Sequence, residues 1–289
     1  MNDINHNAGY RFTERLRVRW AEVDMQKIVF NGHYLMYFDT AVAGYWRALA
    51  LPYHAAMERL QGDLYVRKAT LEYEGSARYD DVLDVGIRCG RIGNSSLVFH
   101  AAAFRGHTRL VHGELVYVFA DPATQTSRPV PAPLRALFQA YEAGQAVSQV
   151  QLGDWAALGA AARGIRHAVF VDEQRIPADL VCDAADDNAV HAVAFNRLDM
   201  PVAAGRLLVA GPGVGKIGRM ATLAPVRGSH LGRQVLAALM QAARERGDLE
   251  VMLQAQTSAV PFYLRAGYQP HGPEFEEAGI AHQEMRITL

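Results

Sequence analysis

Asp24 stands seven residues before Asn31, in a segment that leaves a strand and enters a helix. A helix start exposes unpaired backbone N–H groups and a partial positive charge. Such donors polarise a carbonyl and hold the oxyanion that forms on it, an effect worth about 3 kcal/mol per donor. A carboxylate beside them can attack that carbonyl or activate a water, and the same dipole favours its ionised form. The spacing suits a plain turn or cap aspartate equally well. His33 and Tyr34 follow at the helix start, as pocket residues or as packing. A second stretch, RGSHLG from Arg227 to Gly232, joins a strand to a helix. Converging amides and the helix dipole there would cradle a pyrophosphate, although strand–turn–helix units with glycine are common. GPGVGK, Gly211 to Lys216, is one residue short of a P-loop and is followed by Ile217 where Ser or Thr is required. It reads as a hairpin turn.

The elements that must carry these residues follow from periodicity. Phe12 to Trp20 alternates as a strand, and Tyr34 to Leu51 reads as a helix. That helix is apolar around most of its circumference, Leu35 and Met36 included, so burial on several sides is expected. Strand patterns follow at Leu64 to Tyr73, Val82 to Ile92, Ser95 to Arg105 and Arg109 to Ala120, with hairpin signals at Gly93-Asn94 and Gly106-His107. One helix followed by an antiparallel sheet indicates an α+β layer fold. After RPVPAP and a helix from Leu134 to Tyr141, the small polar segment Glu142 to Gly153 reads as a linker. It divides the chain into domains 1–147 and 148–289. The second half mixes helix (Ala156 to Val171, Leu231 to Arg246, Ala259 to Ala266) with strands at Ala189 to Phe195, Gly205 to Val209, Lys216 to Leu223, Glu250 to Gln254 and Gln283 to Ile287.

Composition narrows the function classes. With 29 basic and 30 acidic residues the net charge is −1, which gives no support for nucleic-acid binding. Cys89 and Cys182 form neither a disulfide framework nor a zinc motif, which favours a reducing compartment. The opening MNDINHNAGYRF lacks the apolar core of a signal peptide, and no run approaches the roughly 18 apolar residues of a membrane span. A cytoplasmic protein with no metal is expected.

Two resemblances sharpen these readings. VRWAEVDMQKIVFNGHYLMYFDTA, with ARYDDVLDVGIRCGRIGNSSLVFHAAAF and GELVYVFADPATQTSRPVPAPL, resembles the 4-hydroxybenzoyl-CoA thioesterase family of hotdog proteins, the YbgC-like group, over about residues 10 to 142. The resemblance implies acyl-CoA hydrolysis, with Asp24 as nucleophile or base and the Asn31 amide polarising the thioester carbonyl. It further implies Ser95 and Ser96 near the pantetheine, and a homodimer or larger assembly with active sites between subunits. The chain departs from the family at Lys27, three residues after Asp24, where glycine is usual.

The second half, through IRHAVFVDEQRIPADLVCDAADDNAVHAVAF, GRLLV, IGRMATL, LQAQTSAVPFYLRAGY and GIAHQEM, resembles GNAT acetyltransferases of the ElaA/YjcF-like branch. Arg227, Gly228, Ser229, His230, Leu231 and Gly232 fall on the family's pyrophosphate motif, with His230 where its middle glycine belongs. The resemblance implies acetyl-CoA as substrate, Met220, Ala221 and Thr222 beside pantetheine, and Tyr263 as the acid for the departing thiolate. Glu173 is the first candidate for the base that deprotonates an amine acceptor of unknown identity. Asp183, Asp186, Asp187 and His191 read as a solvated acidic loop without metal-ligand spacing. The combined reading is a bifunctional acyl-CoA enzyme. The alternative keeps one activity and makes the other domain a binding or regulatory module.

Overall fold

The computed structural model describes residues 9–289; the polar opening from Met1 to Ala8 lies outside them. The chain divides into two compact units at the Val147–Ser148 junction. Unit 1 runs β1 (Phe12–Arg17), α1 (His33–Ala48), α2 (Tyr53–Arg59), β2 (Asp63–Tyr73), β3 (Val82–Ile92), β4 (Ser96–Arg105), β5 (Thr108–Ala120) and α3 (Ala132–Glu142). Its sheet is antiparallel throughout, in the order β1-β3-β4-β5-β2.

Helix α1 buries Tyr37, Phe38, Ala41, Val42, Tyr45 and Trp46 against that sheet. Gly44 lets β1 approach: a Cβ there would lie 2.7 Å from the Phe12 ring. Tyr45, Trp46, Phe99 and Phe138 close the core as an aromatic cluster, Tyr45 stacking on Phe138 at 6.1 Å between centroids. Burial around most of α1 is not what the fold does. Leu35 is 38% exposed and Met36 52%, because only one stripe of a helix laid on a sheet can face it. β1 also stops at Arg17, and Trp20–Glu22 forms a 3-10 turn that turns the chain toward Asp24.

Unit 2 runs β6 (Ser148–Gly153), α4 (Trp155–Arg166), β7 (Val190–Asn196), β8 (Pro201–Gly211), β9 (Val214–Thr222), α5 (Leu231–Arg246), β10 (Glu250–Gln256), α6 (Val260–Arg265), β11 (Gln269–Glu277) and β12 (Ile280–Thr288). Sheet order is β11-β12-β10-β9-β8-β7-β6. Only β9 and β10 pair in parallel; every other neighbour is antiparallel.

The second half of the expected linker is a strand. Ser148–Gly153 pairs along β7, from Ser148 opposite Asn196 to Gly153 opposite His191. A new domain thus begins on a short edge strand whose polar alternation reads locally as a linker. α4 continues into a π-helical segment, His167–Glu173, a rare form found mostly where a chain must be re-aimed near a site. The hairpin expected at GPGVGK is present, with β8 ending at Gly211 and β9 starting at Val214.

Candidate functional site

In unit 1, Asp24 and Asn31 line one crevice of about 600 Å³, together with Phe30, Tyr34, Tyr73 and Ser76. Asp24 is half-buried and caps its own turn: Oδ1 accepts the Gln26 N–H at 2.8 Å, and the Asp24 carbonyl accepts the Lys27 N–H. The turn reading therefore holds for this side chain. No described acceptor takes the Asn31 N–H, so a donor is left free where α1 begins. The Tyr73 hydroxyl donates to the Asn31 carbonyl at 3.2 Å and fixes that peptide. Tyr34 is buried, and its hydroxyl accepts the Ala77 N–H, so it braces the crevice wall. Beneath the crevice, Glu22 accepts from Tyr37 and Arg19. Burial raises the Glu22 pKa, but those hydrogen bonds outweigh it and hold the carboxyl below its ordinary range.

His33 does not join them. It does not line the crevice; its Nδ1 lies 3.3 Å from the Met36 sulfur and its ring meets Phe30 edge-on. Ser95 and Ser96 lie at the β3–β4 turn, where their carbonyls accept from Phe119 and Gly93, and neither lines the crevice. Tyr73 and Ser76 were not legible beforehand, since they come from β2 and the loop after it.

In unit 2, β9 and β10 pair from Val214–Glu250 to Ile217–Leu253 and then part. Beyond that point β9 bulges against β8, with Arg219 at φ 51°. A cavity of about 620 Å³ opens at the divergence, lined by Met220 of β9, Gln254 and Gln256 of β10, Tyr263 of α6 and His282 of β12. Tyr263 is 7% exposed, and burial pushes its phenol up to about 12, which keeps the proton on at neutral pH. Past Thr222 the chain turns into α5. Gly228 takes φ 90°, and a Cβ on Gly232 would lie 3.3 Å from the Thr222 hydroxyl, so the helix start lies close to the strand end. Ser229 turns its hydroxyl inward to the Val226 carbonyl, and Leu231 is buried.

Glu173 is displaced from the role of base. Its two carboxylate oxygens accept from both terminal nitrogens of Arg227 at 2.7 Å each, and it does not line the cavity. The Arg227 hydrogen bond holds the carboxyl below its usual range, the wrong direction for a proton acceptor. Arg227 in turn donates Nε to the Thr222 carbonyl, so the pair shapes the loop. His282, which the sequence did not single out, lines the cavity. Its Nδ1 lies 2.8 Å from the Ile280 carbonyl, which can only accept, so the neutral ring carries its proton there and leaves the Nε2 lone pair open.

The expected acidic loop is also corrected. Asp186 and His191 are fully buried, with Asp186 held by Arg166 at 2.9 Å and by Arg206 at 2.7 Å. Among the described residues there is no group of three or more His, Cys, Asp or Glu placed to hold a metal ion, and no helix is long and apolar enough to cross a membrane.

Residues 163–289 match the profile of the acetyltransferase (GNAT) domain, and residues 26–112 that of the thioesterase superfamily. YjcF of Bacillus subtilis, described as an uncharacterized N-acetyltransferase, is 38% identical over 122 residues, covering 42% of this chain and 86% of its own. The chain belongs to the GNAT acetyltransferases and carries a thioesterase-superfamily domain before that half. YyaT of Bacillus subtilis, an uncharacterized protein, is 32% identical over 124 residues, covering 42% of this chain and 82% of its own. A solved thioesterase-superfamily structure from Jannaschia covers 44% of this chain and 90% of its own, at 21% identity and a TM-score of 0.42. The first unit is a hotdog domain, a sheet laid around α1, and the second a GNAT domain. Both families act on acyl-CoA substrates. The thioesterase match begins two residues past Asp24 and includes Asn31.

Both departures from the family motifs sit at left-handed backbone positions. Lys27 has φ 63° and His230, the N-cap of α5, has φ 64°. The turns thus keep the conformation that glycine would adopt, at a cost of about 1 kcal/mol each for the added β-carbon. Glycine loses more chain entropy on folding, which offsets part of that. Lys27→Gly and His230→Gly are each expected to raise stability by about 0.5 kcal/mol. Urea midpoints that stay level or fall would show that the side chains compensate for the strain.

Proposed function

We propose that the chain is a bifunctional acyl-CoA enzyme, hydrolysing a thioester in the hotdog domain, 1–147, and transferring acetyl to an amine in the GNAT domain, 148–289. The observation that carries the second activity is the parting of β9 and β10 beyond Ile217–Leu253. It leaves Met220, Ala221 and Thr222 with main-chain groups facing no strand on that side, which is what a pantetheine amide pairs with. The α5 start, with its unpaired amides, receives the pyrophosphate through Gly228, His230, Leu231 and Gly232, while the Ser229 N–H already donates to the Val226 carbonyl at 3.4 Å and that residue shapes the turn. The amine nitrogen bonds to the acetyl carbon and the C–S bond breaks. The proton lost by nitrogen goes to His282 Nε2, and the Tyr263 hydroxyl donates to the departing thiolate. In the first activity Asp24 attacks the acyl carbon or activates the water that does, and the Asn31 N–H holds the carbonyl oxygen. The products are the free acid and coenzyme A.

A homodimer fits this reading. β2 is an edge strand of 11 residues, and it exposes Val66 at 56% and Tyr73 at 52%. A long open edge of that kind pairs with another. Pairing through β2 would bring a second copy's surface, with Ser95 and Ser96, toward the Asp24 crevice. Light scattering is expected to give twice the chain mass, and Val66→Asp to give the monomer with hydrolysis impaired. A monomeric parent protein would remove the dimer.

The test of the whole is thiol release from acyl-CoAs, with and without amines, on the full chain. Tyr263→Phe is expected to lower acceptor-dependent release about 100-fold while acceptor-independent release and the acetyl-CoA affinity, read by calorimetry, hold. Equal transfer by the variant would take Tyr263 out of the chemistry.

A further inference from the structure

We propose that the amine acceptor of the GNAT domain carries a carboxylate, and that the Lys216 ammonium holds it at the closed end of the β9–β10 divergence. The proposal rests on the acetyl-transfer reading of the same cavity. Three cations line that cavity, Arg206, Lys216 and Arg219, against two acids, Asp183 and Glu277. Asp183 is already taken: Arg206 donates to it at 2.7 and 2.8 Å, and Arg219 at 3.0 Å. Arg206 also donates to Asp186, which Arg166 holds from the other side. That network sets three guanidinium groups against two carboxylates before Lys216 is added. Lys216 forms no ion pair within 4.0 Å with any described residue, and Glu277 stands exposed at the end of β11 with none either.

Position gives the excess charge a use. Lys216 faces Leu208 on β8 and Met252 on β10, inside the stretch where β9 and β10 are still paired. The pyrophosphate loop lies at the opposite, open end of β9, after Thr222. The cation is therefore out of reach of the coenzyme's phosphates and beyond the point where the acetyl group arrives. His282 pairs with Gln256, four residues along β10 from Met252, or about 13 Å along the strand. An acceptor whose amine meets His282 turns its far side toward Lys216. Cavity walls concentrate the field of an unpaired cation, so a polyamine or other polycation is repelled and a carboxylate is drawn in. A cavity of about 620 Å³, shared with the acetyl end of the coenzyme, suits an acceptor of amino-acid size.

The experiment compares matched acceptors on the full chain, with amine and carboxylate at opposite ends: lysine with cadaverine, 6-aminohexanoate with hexylamine, 5-aminopentanoate with pentylamine. The carboxylate-bearing member of at least one pair is expected to have a KM lower by about ten-fold or more, the equivalent of one charge-assisted hydrogen bond. Lys216→Met is expected to erase that advantage and Lys216→Arg to retain it, with acetyl-CoA affinity by calorimetry unchanged in both. Equal KM values within every pair, an advantage that survives Lys216→Met, or transfer to none of the amino acids by a protein that binds acetyl-CoA would each overturn the proposal. Failure to bind acetyl-CoA falls instead on the acetyl-transfer reading. The carboxylate preference is then read by titrating N-acetyl-lysine against N-acetylcadaverine, where equal binding overturns it.

Discussion

Asp24→Asn is expected to lower acceptor-independent thiol release by at least about 1,000-fold, the scale on which a nucleophile or general base acts together with its carbonyl donor. The fold should be unaffected, because the only described bond of the Asp24 side chain is the one its Oδ1 accepts from the Gln26 N–H, and an asparagine oxygen can accept the same bond. The crevice contains no second carboxylate to take over: its other lining residues include Asn31, Tyr34, Tyr73 and Ser76, none of them acidic. Asn31→Ala is the informative control. The proposed contribution of Asn31 is its main-chain N–H, which alanine keeps, so hydrolysis should remain within about ten-fold of the parent while Asp24→Asn is nearly silent. Release that persists in Asp24→Asn at the parent rate would assign the chemistry elsewhere. Release lost equally in Asn31→Ala would mean that the amide side chain, not the backbone, meets the substrate.

Periodicity and turn chemistry carried most of the architecture. Val82–Ile92 and Leu231–Arg246 occupy the bounds that their alternation and amphipathic stripe set. What failed was of another kind. Leu35 and Met36 read as core because hydrophobicity counts residues around a helix, while exposure depends on what is laid against it. Ser148–Gly153 read as a linker because an edge strand of small polar residues has little local signal. That Asp24 and Asn31 share one crevice was legible because a turn brings together residues that are close in sequence. The pairing of Glu173 with Arg227 and the place of His282 in the cavity were not legible, for the converse reason. The Glu173–Arg227 pair spans 54 residues and the Gln256–His282 register spans a strand crossing, and neither leaves a trace at short range. The resemblance pointed to Tyr263 and the Arg227–Gly232 loop, but which carboxylates already have partners is a property of the folded chain.

The left-handed conformations of Lys27 and His230 bear on the choice between two activities and one. A family glycine replaced by a bulkier residue reads in sequence as a damaged site. In the fold each replacement keeps the backbone turn, with the main-chain donors of Asn31 and of the α5 start still unpaired by the described residues. In the proposed reading the chemistry asked of those positions falls to amides, so a side chain there is expected to change stability more than it changes the site.

The largest stability effect belongs to Asp186, beside the cavity at the β9–β10 divergence. Its side chain is 1% exposed and accepts from Arg166 at 2.9 Å and from Arg206 at 2.7 Å, and its carbonyl lies 2.9 Å from His191 Nε2. Asp186→Ala would leave Arg166, itself 0% exposed, as a buried cation with no described carboxylate partner. Removing one partner of a buried pair costs about 3–5 kcal/mol, a large share of a domain's total of roughly 5–15 kcal/mol. Asp183→Ala should cost far less. Its side chain is 39% exposed, so water can solvate what remains, and Arg206 keeps Asp186. Acid should act on the same network in two stages. Burial lowers the His191 pKa below the ordinary 6.5, so below that pH the unfolded chain takes a proton that the folded one refuses, and stability starts to fall. Burial raises the Asp186 pKa, but the bonds from Arg206 and Arg166 prevail and set it below 3.8; the Arg206 bond sets Asp183 lower as well. Their stabilisation is complete above about pH 4 and is lost as pH falls through the depressed folded values. Urea unfolding followed by the fluorescence of Trp155, whose ring lies 4.9 Å from that of His191, should show both stages in the parent protein. In Asp186→Ala the steeper stage below pH 4 should be much reduced. An unfolding free energy in Asp186→Ala within about 1 kcal/mol of the parent would mean that water reaches Arg166, and that the network orders the cavity wall without holding the domain together.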